Sequence, residues 1–79
     1  MPRYLVERTF PGGLNLLSET EGGNAQQGVT WVTSYVTPDR RRSYCICDSP
    51  SPESIRIAAQ ANGLPVDRIT EVRVLDPYC

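Results

Sequence analysis

Cys45 and Cys47 stand one residue apart in "SYCIC", in a 79-residue chain with three cysteines and no histidine. Two thiols at that spacing are soft donors for nickel, copper or zinc. A single strand supplies only these two ligands, so a carboxylate or a second subunit has to complete the set. A redox pair is the second chemistry, and packing of two small side chains beneath another element is the third. An intrastrand disulfide fits poorly, because i and i+2 side chains stand side by side on a strand and the disulfide dihedral seldom accepts that geometry. No C-x-x-C pair marks a zinc ribbon or a thioredoxin-like motif.

Which role applies depends on the face the cysteines take, and so on the elements that carry them. In "RYLVERT", Tyr4, Val6 and Arg8 alternate with Leu5, Glu7 and Thr9, which predicts a first strand ended by "FPGG". Residues 14–28 are irregular. Ser18 could cap a helix, yet Gly22-Gly23 follows almost at once, so one or two turns are expected at most. "VTWVTSYV", residues 29–36, is β-branched and aromatic, with Trp31, Thr33 and Tyr35 opposing Val32, Ser34 and Val36. The turn "TPDRRR" leads into a third strand over 43–48.

A helix follows with its punctuation explicit: Ser51 as N-cap, Pro52 and Glu53 in the first turn, Gly63 and Pro65 as the stop. Its buried stripe is Ile55, Ala58, Ala59 and Leu64. A last strand over 68–75 sets Thr70, Val72 and Val74 against Ile69, Glu71 and Arg73. The order defines one α+β domain over 1–79, a ferredoxin-like βαββαβ unit with a four-stranded antiparallel sheet and the first helix truncated or absent. Strands one and three are central, and both helices lie on one face.

Assigning the aliphatic half of each strand to the helix side buries Val6, Val32, Val36, Val72 and Val74. In strand three, Tyr44 and Ile46 compete with the cysteines for the core. Ile46 is the stiffest apolar side chain of the four, which turns Cys45 and Cys47 outward. The open face then gathers Glu7, Trp31, Tyr35, Cys45, Cys47, Glu71 and Arg73. That surface reads either as a dimer interface, rich in aromatics and arginine, or as a binding site. In the second reading Cys45 and Cys47 are metal ligands, and Glu7, Trp31, Tyr35, Glu71 and Arg73 form the ligand-binding surround. An enzyme on this topology would have to use Glu7, Glu71, Tyr35 or Cys45 as its acid or base.

The stretches "VTWVTSYVTPDRRRSYCIC" and "SPSPESIRIAAQANGLPVDRITEVRVLDPY" resemble the DUF4242 family. "SYV", "YC", the capped "SPE" helix, "GLP" and "EVR" occur in the family's order and spacing. The resemblance implies a ferredoxin-like fold, a homodimer and, from one actinobacterial member described as nickel-binding, a possible nickel or other transition-metal cofactor. It also implies a histidine ligand where this chain has Thr33, and it leaves Cys45 at the family's "YC" position. Cys47 replaces a common tyrosine. The first helix is shorter than the family's by about three turns, which predicts a tighter or swapped oligomer in which a neighbour covers the exposed apolar area.

A formal net charge of -1 gives no basis for nucleic-acid binding. Arg3, Glu7 and Arg8 break up the first ten residues, and no apolar run is long enough to cross a bilayer, so neither a signal peptide nor a membrane span is expected. Unpaired cysteines in a small chain point to a reducing, cytoplasmic setting.

Overall fold

A computed structural model describes residues 1–13 and 28–75. The expected short helix and the Gly22-Gly23 junction lie outside the described residues. Four strands, β1 (Arg3–Thr9), β2 (Thr30–Val36), β3 (Arg42–Asp48) and β4 (Arg68–Val72), form one antiparallel sheet in the order β2-β3-β1-β4. β1 and β3 are central, as the ferredoxin-like order requires.

Helix α1 (Pro52–Ala61) starts where its sequence says it should. Ser51 is extended, and its Oγ accepts from the Ser54 N–H at 3.2 Å, with Pro52 and Glu53 in the first turn. At the other end Gly63 adopts φ +67°, donates to the Gln60 carbonyl, and is followed by a Leu64 N–H to Ala59 carbonyl bond. This is a Schellman stop, which favours a residue without a Cβ. Ile55, Ala58 and Ala59 are its buried stripe, and they join Tyr4, Val6, Val29, Cys45 and Cys47 in the core, with Val66 and Ile69 packed alongside.

The register assigns every side chain to a face, since directly opposed residues of an antiparallel ladder point the same way. The helix side carries three rows: Val36, Ser43 and Arg8; then Ser34, Cys45, Val6 and Ile69; then Trp31, Cys47, Tyr4 and Glu71. The open side carries Tyr35, Tyr44, Glu7 and Arg68; then Thr33, Ile46, Leu5 and Thr70; then Thr30, Asp48, Arg3 and Val72.

Three expectations about faces are corrected by these rows. Cys45 and Cys47 point to α1, 2% and 3% exposed, while Ile46 takes the open side. Alternation follows the pairing of β3 with β1, which sets Cys45 opposite Val6 and Cys47 opposite Tyr4 on the core side, in one cluster with Ile55 and Ala58 of the helix. In β4, Ile69 faces the core opposite Val6, whereas Thr70 and Val72 turn outward and Val74 is exposed. In β2 the pairing slips between Trp31 and Thr33, a β-bulge that resets the alternation, so Trp31 lies on the thiol side and Tyr35 on the open side.

Candidate functional site: a buried thiol and guanidinium beneath the helix

The expected seven-residue surface is divided between the two faces. Glu7 and Tyr35 do share the open side, in one row with Tyr44 between them. Cys45, Cys47 and Trp31 lie on the helix side. Glu71 is there too, in the outermost row beside Tyr4, and pairs at 3.6 Å with Arg73.

Alternation in β1 sends Arg8 inward with Tyr4 and Val6. It is 5% exposed, and its Nη1 donates to Cys45 Sγ at 3.1 Å. From the edge strand, Ser34 donates its hydroxyl to the same sulfur, also at 3.1 Å. Ser34 in turn accepts from the Trp31 indole N–H at 2.8 Å. Ser43 Oγ lies 4.0 Å from Cys45 Sγ. Cys45 therefore sits in a polar niche, accepting from Arg8 and Ser34 and facing a Ser43 hydroxyl that can donate or accept. Cys47, one row on, has an apolar setting, and burial, reinforced by the neighbouring Cys45, pushes its thiol up to about 11.

Arg8, Ser34 and Ser43 were not among the expected site residues. The signal for Arg8 was present, since it occupies the third position of the buried half of β1, where a charge needs a partner. Ser34 could not be read, because only the bulge places it beside Trp31.

A nickel site on Cys45 and Cys47 was tested against this geometry and does not fit. A cation at Cys45 would meet the Arg8 guanidinium, whose Nη1 lies 3.1 Å from the sulfur. Among the described residues no three of His, Cys, Asp and Glu group closely enough to hold a metal. Thr33, where the resemblance places a histidine ligand, faces the open side with Ile46, so it and Cys45 lie on opposite faces of the sheet.

At the end of the sheet, Arg3 holds Asp48 through Nε at 2.8 Å and Nη2 at 3.2 Å. This bidentate pair keeps the Asp48 carboxyl below its ordinary range. Arg3 and Asp48 line a shallow pocket of about 440 Å³ with Met1, Pro2, Glu71 and Arg73.

The architecture is that of a small ferredoxin-like α+β protein with a thiol row beneath its helix. The chain belongs to the nickel responsive protein SCO4226-like family, whose model matches residues 4–72, in agreement with the resemblance carried by "SYV", "YC" and "EVR". It is similar in fold to the crystal structure of SCO4226 from Streptomyces coelicolor A3(2), with 16% identity and a TM-score of 0.75 over 94% of this chain and 99% of that one. No curated protein matches the chain by sequence. No helix among the described residues is long and apolar enough to cross a membrane.

Proposed function

We propose that the protein is a small homodimeric binding protein whose two copies meet through the open sheet face, and that the nickel response naming its family belongs to the assembled dimer. The observation that carries this reading is the composition of that face. Leu5 and Ile46 form its centre, Val72, Tyr44 and Tyr35 extend the apolar surface, and charges sit at its ends as Arg3 with Asp48 and as Glu7 opposite Arg68. An apolar centre with a charged margin is the pattern of a protein interface, and a two-fold axis would set each copy's patch on the same patch of the other. Glu7 and Tyr35 are the expected ligand-binding residues that this face retains.

Two reduced buried thiols agree with a cytoplasmic setting, which is part of the proposal. The test is native mass spectrometry of the reduced protein with and without nickel and zinc. A dimer that takes up metal supports the reading. A monomer at micromolar concentration, metal-free under both conditions, refutes it.

A further inference from the structure

We propose that the tip of the β2–β3 hairpin, with Arg40, Arg41 and Arg42, is a docking site for the phosphate chain of a small polyphosphate.

The first support is charge. The three side chains are exposed at consecutive positions. The ion pairs among the described residues are Arg3 with Asp48 and Arg73 with Glu71, so none of the three is paired with a carboxylate there. Asp39 is the acid of the turn, and its Oδ1 accepts from the Thr37 hydroxyl at 2.6 Å and from the Arg41 N–H at 3.0 Å. Those bonds, the Thr37 hydroxyl first, hold its carboxyl below the ordinary range. Asp39 is thus occupied in shaping the turn, and residues 37–42 keep a formal charge of +2.

The second support is the backbone. Arg40 has φ +62° and is the one non-glycine residue of positive φ among the described residues. A Cβ is disfavoured in that region, where glycine is the usual occupant. Strained positions of this kind concentrate at functional sites. The turn around it is fixed by bonds from the Arg40 N–H to the Thr37 carbonyl at 2.8 Å, from the Thr37 N–H to the Arg42 carbonyl at 3.0 Å, and from the Phe10 N–H to the Arg41 carbonyl. Three guanidiniums therefore stand on a backbone already ordered, which leaves less entropy to lose on binding.

The ligand class follows from the shape and extent of this charge. A guanidinium presents a planar fork of N–H donors that matches two oxygens of one phosphate, and adjacent forks match successive phosphates. Taking the +2 of the tip from the formal net charge of -1 leaves -3 on the rest of the chain. A long polyanion or an anionic membrane would lie against that negative remainder and be repelled by it. A ligand of a few phosphates meets the tip alone. Arg40 and Arg41 lie between the end of β2 and the start of β3, beyond the open face, so the inference is independent of the dimer.

Its test is isothermal titration calorimetry of the reduced chain with sodium tripolyphosphate, with amide shifts of the isotope-labelled protein to locate the site. One site per chain is expected, with a Kd on the order of 100 μM or tighter at low salt. The shifts should centre on residues 37–42, and raising NaCl from about 20 to about 200 mM should weaken binding at least about tenfold. ATP as a second probe separates the sources of the phosphates. Equal affinity supports recognition of the phosphate chain alone, and tighter binding that the hairpin variant loses supports a nucleotide held through it.

Arg40→Gln, Arg41→Gln and Arg42→Gln combined should weaken tripolyphosphate binding at least about tenfold, whereas Arg56→Gln, on the exposed side of α1, should leave it unchanged. Arg40→Gly relieves the left-handed backbone, so it should raise the urea midpoint while weakening binding a few-fold. No heat at millimolar tripolyphosphate, amide shifts centred elsewhere, or a combined variant that binds as tightly as the parent overturns the assignment. Tighter binding of a single-stranded oligonucleotide or of phosphatidylglycerol vesicles than of tripolyphosphate does so too.

Discussion

The Trp31 indole N–H donates to Ser34 Oγ at 2.8 Å, although the two residues are three apart on one strand. Strict alternation would send them to opposite faces. The slip between Trp31 and Thr33 brings them together and delivers the Ser34 hydroxyl to Cys45.

Ser34→Ala therefore removes an acceptor from Trp31 and a donor from Cys45. The expected loss is about 1 to 2 kcal/mol, since two hydrogen bonds are lost together. Urea unfolding followed by Trp31 fluorescence measures it. Thr33→Ala, on the open face of the same strand, is the control and should cost less.

Truncating either end of α1 should have a defined cost. Ser51→Ala loses the bond to the Ser54 N–H, worth about 1 kcal/mol. Gly63→Ala forces a Cβ into φ +67°, at a cost of about 1 kcal/mol. Thermal or urea midpoints of the two variants, measured at pH 7, check both values.

Ile46→Asp and Leu5→Asp place a carboxylate at the centre of the open face. Each should convert the proposed dimer to monomer at micromolar concentration while leaving the far-ultraviolet circular dichroism of the fold. Sedimentation velocity reads the change. A parent protein that sediments as a monomer makes these variants uninformative about assembly and removes the proposal itself.

Two pH dependences have opposite signs. Asp48 is depressed by Arg3, so its contribution is present above the ordinary carboxylate range and is lost as pH falls through the lower folded value. The stability gap between the parent and Asp48→Asn should thus close on acidification below about pH 4.

Cys47 is raised from 9.0 to about 11, so its contribution is complete below pH 9 and disappears as pH rises through 11. Cys47→Ala should flatten the alkaline limb of the stability curve. Denaturant midpoints at pH 8 and 10.5 compare the two proteins.

Much of the fold was legible because its signals are local. Ser51, Pro52, Gly63 and Pro65 bracket α1 by capping rules alone, and "RYLVERT" alternates without ambiguity. The site was less legible because faces depend on pairing. Ile46 has the stiffer side chain, but the opposition of Cys45 to Val6 and of Cys47 to Tyr4 puts the thiols in the core. Thr70 and Val72 look as apolar as Ile69, yet the opposition of Ile69 to Val6 decides their side. The Val32 bulge has no signature in "TWVTSYV", and it moves Trp31 away from Tyr35.

That bulge also makes Val32 a supernumerary residue of β2. Trp31, Thr33, Ser34 and Tyr35 oppose Cys47, Ile46, Cys45 and Tyr44 in turn, so a chain lacking Val32 would alternate regularly through the same four pairings and keep the indole and the Ser34 hydroxyl on the thiol side. Filling the bulge with a paired residue would instead put the two halves of the strand out of phase and part Trp31 from Ser34. The meeting of a hydroxyl with a sulfur thus depends on one residue staying out of the ladder, a property set by the count of paired residues and not by the identity of Val32.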